Sequence, residues 1–205
     1  MNFFSTLNEL IQSCLSCTDC DLAKHRTQVV PGEGDEHAQV MFIGEGPGYH
    51  EDQQGRPFVG QAGKLLDELI GSIGMKRSDV YIANVVKCRP PGNRDPLPSE
   101  TEACSKWLEG QIALIAPKVI VTLGRHSMAR FLPGQTISRA HGVARKVGEV
   151  VVLPVHHPAA ALYQQSLRKT LEADFQKIPA LLQSTQEVEQ EVKKEEPKPE
   201  QLNLF

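Results

Sequence analysis

A chain of 205 residues with a net charge of −3 and 40% hydrophobic residues has room for one sizeable core and a tail, and too little for two comfortable domains. That charge argues against a strongly basic coat for non-specific nucleic-acid binding without excluding DNA as a partner, and no run reaches the roughly eighteen apolar residues of a membrane-spanning helix. Met1-Asn2-Phe3-Phe4 has neither the basic stretch nor the cleavage site of a signal peptide, so a cytoplasmic protein is expected, with no membrane association.

Leu7, Leu10, Ile11 and Cys14 recur at helical spacing and predict a short amphipathic helix over about 5–16, running into a cysteine-rich turn. Gln39–Ile43 is a short apolar run ending at a glycine, the pattern of a buried strand. Leu65, Leu66, Leu69, Ile70 and Ile73 mark a helix over 61–73, and Asp79–Val86 a second strand. A helix over 99–115, a strand at 118–122, a helix at 125–131, a strand at 150–153 and a last helix over 166–182 complete the series. Strands alternating with helices predict right-handed crossovers and a parallel sheet covered on both faces, with functional loops at the strands' C-terminal ends. Three unusual segments stand at those ends: Gly44–Gly48, Lys87–Pro91 and Pro154–Pro158. Residues 1–183 thus read as the folded domain. In 184–205, the stretch Glu187–Glu200 has almost no large apolar residue to offset the entropy of ordering, and disorder is expected.

Five cysteines in a reducing compartment point to metal or cluster ligation, or to plain burial, more than to disulfides. Cys17 and Cys20 form a C-x-x-C, a reach that lets one turn bind a single centre, and Cys88 and Cys104 supply a second pair. Four thiolates suit zinc and an iron-sulfur cluster alike. Cys14 competes for a ligand position and is read as a buried helix residue. The loop Gly44-Glu45-Gly46-Pro47-Gly48 is no phosphate cradle, because it lacks the G-x-G-x-x-G and G-x-x-x-x-G-K-[ST] patterns and its proline removes an amide.

That loop, the following Gly55–Gly60, the run Asn84–Pro91, His157-Pro158-Ala159 and the cysteine placement together resemble the motifs of the bacterial family 4 (iron-sulfur) uracil-DNA glycosylases, in family order from about Cys14 to Leu182. The resemblance implies a three-layer α/β/α domain with a central four-stranded parallel sheet, and a 4Fe-4S cluster held by Cys17, Cys20, Cys88 and Cys104. It implies hydrolysis of the N-glycosidic bond of uracil in DNA after base flipping, the start of base excision repair.

Each chemical demand of that reaction then has a candidate. Phe58 stacks on the extruded base, by the resemblance, and Asn84 accepts from uracil N3–H while donating to O4, a pattern that cytosine reverses. His157, the one of two adjacent histidines that aligns with the family's His-Pro, donates to O2 and stabilises the departing uracil anion beside the backbone of Glu45 and Gly46. Gly46 stands where other families carry a water-directing aspartate or asparagine, so Glu45 is the candidate for holding the attacking water. Glu51 is a candidate to face uracil C5 and exclude thymine's methyl group. Leu162 is a candidate wedge for the vacated stack, and Arg89, Arg94, Arg168 and Lys169 are candidate phosphate contacts.

The terminal Gln201, Leu202, Leu204 and Phe205 resemble the short motif with which bacterial proteins dock on the polymerase sliding clamp; the domain itself is expected to be a monomer. Two other readings stay open, a non-catalytic iron-sulfur DNA-binding or redox-sensing module and a nucleotide-binding α/β domain with structural zinc. The first has no need of Asn84, Phe58 and His157 together, and the second lacks a phosphate loop.

Overall fold

A computed structural model describes residues 4–185. The acidic stretch and the terminal Gln201–Phe205 motif lie outside the described residues.

Thr6 opens helix α1 (Leu7–Leu15) by accepting from the Glu9 amide at 3.2 Å, and α1 turns Leu7, Leu10 and Cys14 inward. In chain order there follow β1 (Glu33–Gly34), β2 (Val40–Gly44), α2 (Tyr49–Gln54), α3 (Gln61–Ser72), β3 (Tyr81–Asn84), α4 (Pro98–Ile115), β4 (Val119–Leu123), α5 (Arg125–Phe131), α6 (Ile137–Ala140), β5 (Arg145–Val147), β6 (Val150–Val155), α7 (Pro158–Ala161) and α8 (Gln165–Phe175). No helix among the described residues is long and apolar enough to cross a membrane.

The strands lie in the order β1-β3-β2-β4-β6-β5. The expected four parallel strands are the centre, β3-β2-β4-β6, and the sheet is extended to six by an antiparallel strand at each edge. β1 has two residues and β5 three, with little burial, so neither leaves an apolar alternation in the sequence.

Along the central strands side chains alternate between two cores. Met41, Ile43, Tyr81, Ala83, Ile120 and Val152 meet α1, α4 and α5 through Leu10, Trp107, Leu108 and Met128. Val40, Phe42, Ile82, Val121, Leu153 and Val155 meet α3 and α8 through Leu66, Leu69, Ile70, Leu171 and Phe175. Phe42 and Phe175 stack with ring centroids 5.5 Å apart. Both faces of the sheet are therefore covered by helices, which is the three-layer arrangement, and β2, β3 and β4 are buried along their whole length.

From β2 the chain crosses to β3 on one side, and from β3 past β2 to β4 on the other. This reversal opens a crevice at the C-terminal ends of β2, β3, β4 and β6, where α/β sheets place ligands. The last predicted helix differs in its extent. α8 stops at Phe175, a turn intervenes, and residues 178–185 are helical again. The apolar stripe Leu171, Phe175, Ile178, Leu181 runs across the break, so periodicity alone shows one helix where there are two.

Candidate active site

The crevice holds a pocket lined by Glu45–Gly48, Glu51, Phe58, Ala62, Asn84, Pro90, Asn93, Arg94, His157 and Ala159. It gathers segments far apart in sequence. The loop after β2 gives Glu45 and Gly46, the turn before α3 gives Phe58, the end of β3 gives Asn84, and the end of β6 gives His157.

Close backbone approach makes this convergence possible. A Cβ on Gly44 would collide with Asn84 Oδ1 and reach within 2.7 Å of the Phe58 ring, so a glycine ending β2 lets those two side chains share the pocket floor. Phe58 itself adopts φ +51, a left-handed conformation that disfavours any side chain. Arg77 holds it there, donating to the carbonyls of Pro57 (2.5 Å) and Phe58 (3.3 Å) while pairing with Glu33 (2.7 Å) and Asp67 (2.8 Å).

Asn84 is 2% exposed, and among the described residues its Oδ1 has no hydrogen-bond partner. An unpaired buried acceptor costs about 1–3 kcal/mol, a cost that a ligand's N–H would remove. His157 caps α7, and the Ala159 amide donates to its Nδ1 at 3.1 Å. Burial pulls its imidazolium down to about 4, with Glu51 opposing, so the ring is neutral at pH 7. With Nδ1 accepting, the proton resides on Nε2, and the side chain is a fixed neutral donor. Its ring lies 5.8 Å from that of Phe58, at 28°. His156, the adjacent candidate, packs instead on His141, 4.6 Å away.

Glu45 is pushed above the usual carboxylate range by burial, with His126 opposing. His126 Nε2 lies 3.7 Å from Glu45 and 3.2 Å from Asp95, which Arg125 pairs at 2.6 Å. Gly46 has a steric reason to be glycine, since a Cβ there would stand 2.7 Å from Val86 Cγ2. Glu51 reaches back to α3, its Oε1 accepting from the Val59 (3.0 Å) and Gly60 (3.2 Å) amides, so it braces the Phe58 turn from within the pocket.

The outer candidates are placed unevenly. Arg89 lies over the Tyr49 ring at 5.2 Å and donates to Asn93 Oδ1 at 2.7 Å, at the rim. Arg94 lines the pocket while paired to Glu100 at 2.6 Å. Leu162 is 38% exposed at the end of α7, beside Tyr163 at 93%. Arg168 is not brought to the pocket: it pairs with Glu172 (3.0 Å) and Glu68 (2.8 Å) on the α3–α8 face, and Lys169 lies beside it on α8. Sequence reasoning missed Asn93, whose Pro-Pro-Gly-Asn context is a turn signal, and His126 and Asp95, which no local pattern ties to Glu45.

Near the pocket along the chain, all five cysteines line one cavity with Arg26, Lys87 and Trp107. Three sulfurs accept N–H groups: Cys88 from Arg26 (3.3 Å), Cys104 from the Lys87 amide (3.3 Å) and Cys17 from Trp107 Nε1 (3.4 Å). Burial pushes the Cys104 thiol up to about 11 and Cys14 to about 12, and the nearby Lys87 ammonium opposes both shifts. Cys14 is fully buried on α1 and lines the same cavity.

The family model described as "Uracil DNA glycosylase superfamily" matches residues 31–183. A type-4 uracil-DNA glycosylase of Archaeoglobus fulgidus is 49% identical over 84% of this chain and 92% of its own length. One from Sulfurisphaera tokodaii is 49% identical over 84% and 83%, and one from Thermotoga maritima 44% over 81% and 89%.

Proposed function

This chain belongs to the uracil-DNA glycosylase superfamily, among the type-4 enzymes, and we propose that Asn84, Phe58, His157 and Glu45 divide between them the reading and release of uracil. The reaction is hydrolysis of the N-glycosidic bond of uracil in DNA, which begins base excision repair. The observation that carries the residue assignment is the buried, unpartnered Oδ1 of Asn84 in a pocket shared with Phe58 and a neutral His157.

Extruding a base from the duplex costs a few kcal/mol, and Phe58 returns part of it by stacking, worth about 1–3 kcal/mol. Asn84 Oδ1 accepts from uracil N3–H while its amide donates to O4. Bond cleavage leaves positive charge on the sugar and negative charge on the base, and His157 Nε2–H meets that negative charge at O2. A neutral donor suits this task because it stabilises the anion without protonating it. Glu45 orients the water that attacks the sugar carbon, Gly46 leaves room for it, and Glu51 faces uracil C5 while bracing the turn. Leu162 fills the vacated stack, with Arg89 and Arg94 at the rim toward the phosphates.

Cys17, Cys20, Cys88 and Cys104 hold a 4Fe-4S cluster that ties the N-terminal segment to the end of β3. N–H donors to three of these sulfurs support thiolate ligation. The cluster supplies structural cross-linking when bound. Residues 1–183 act as a monomeric cytoplasmic domain, and Gln201, Leu202, Leu204 and Phe205 dock on a sliding clamp.

The test is incubation with a uracil-containing oligonucleotide followed by alkali. Wild type yields strand breaks, and His157→Ala slows release by about a hundredfold to a thousandfold, as does Asn84→Ala. Unimpaired variants would sink the assignment.

A further inference from the structure

Lys87 is a charged side chain enclosed in the protein, 1% exposed. Its ammonium donates to the Asn84 carbonyl at 2.9 Å and to Gln111 Oε1 at 2.6 Å, both neutral acceptors. Gln111 is itself buried and anchored, donating to the Pro31 carbonyl at 2.7 Å and to Tyr81 Oη at 3.1 Å. An ammonium removed from water needs a compensating negative charge. Among the described residues no carboxylate pairs with Lys87, and the cavity it lines is the one that holds Cys17, Cys20, Cys88 and Cys104. The same residue's backbone amide donates to Cys104 Sγ at 3.3 Å. One residue therefore touches the cysteine site through its backbone and grips the peptide of Asn84 through its side chain.

We propose that Lys87 is a positioning residue, its charge balanced by the thiolate-bound centre and its ammonium fixing the Asn84 backbone, and with it the placement of the Asn84 amide in the pocket lining. Filling of the cysteine site is thereby transmitted to the side chain that reads uracil. This rests on the reading of Asn84 and of the four-cysteine site given above.

The experiment is Lys87→Met in the full, iron-loaded chain, which keeps the stem and removes the charge and its donors. Iron content and visible absorbance are retained. Affinity for free uracil falls by about tenfold or more, the scale of a lost charged hydrogen bond. The centre's reduction potential moves in the negative direction, because a positive charge beside it has gone; a packing role alone would leave the potential unmoved. Wild-type affinity or an unmoved potential with iron retained overturns the proposal. Should Lys87→Met lose iron, Gln111→Leu decides, since it keeps the charge and removes the ammonium's far anchor. Retained iron with weakened uracil binding supports the proposal, and wild-type binding overturns it. A wild-type protein that neither holds iron nor releases uracil would instead bring down the underlying reading, and this inference with it.

Discussion

The pocket and the cysteine site are neighbours along the run Asn84–Cys88, yet they treat their polar atoms in opposite ways. The pocket leaves Asn84 Oδ1 without a partner, whereas the cysteine site supplies N–H donors to the sulfurs of Cys17, Cys88 and Cys104 from three different segments. A group that must accept a visitor and let it go is left wanting a hydrogen bond in the free protein. Three of the four sulfurs proposed to hold a resident group already accept N–H donors. On the proposed roles, the difference in hydrogen bonding sets a turnover site apart from a structural one.

Substitutions can break this contrast from either side. The largest effect is expected from Glu45→Gln, which removes the carboxylate proposed to orient the water and slows release by about a hundredfold to ten-thousandfold. The same variant tests the sign of the pH dependence. In its proposed role Glu45 acts as the carboxylate, and burial raises its pKa, so wild-type activity should rise with pH through a limb shifted upward from that of an ordinary glutamate, and this limb should vanish in the variant. Next comes Gly44→Ala, whose added methyl group drives Asn84 and Phe58 apart. A displacement near 1 Å at a reacting site costs about a hundredfold, read as kcat/KM with melting temperature as control. On the other side, Trp107→Phe removes one N–H···S bond, and the centre's potential should fall while uracil release is unchanged. The smallest effect is expected from Arg168→Ala: with its guanidinium already engaged by Glu68 and Glu172, DNA binding in a salt titration should match wild type.

How far the sequence reveals this molecule depends on length scale. Helices α3 and α4 and the four central strands announce themselves because each spans enough residues for its buried face to repeat. α2, with the sequence Tyr-His-Glu-Asp-Gln-Gln, is almost wholly polar and is nucleated by its place after the pocket loop. The edge strands pair through backbone atoms, which leave no mark on side-chain order. In the site, Asn84, Phe58, His157 and the four cysteines were legible as motif residues. What was hidden is tertiary: the approach that requires Gly44 and Gly46, the Arg77 grip on Phe58, the His126–Asp95 surround of Glu45, and the burial of a lysine that looks like any other charge in Asn84-Val85-Val86-Lys87.

The left-handed turn at Phe58 has one more consequence. Holding a phenylalanine at φ +51 stores on the order of 1–2 kcal/mol of conformational strain, which the Arg77 network offsets once, when the protein folds. The backbone turn that carries the proposed aromatic wall is therefore set before any DNA arrives, which lowers the ordering cost of base capture. Loosening the wall by Arg77→Ala would shift that ordering cost into each encounter, making base capture more entropically opposed and more temperature-dependent even where the folded structure looks the same.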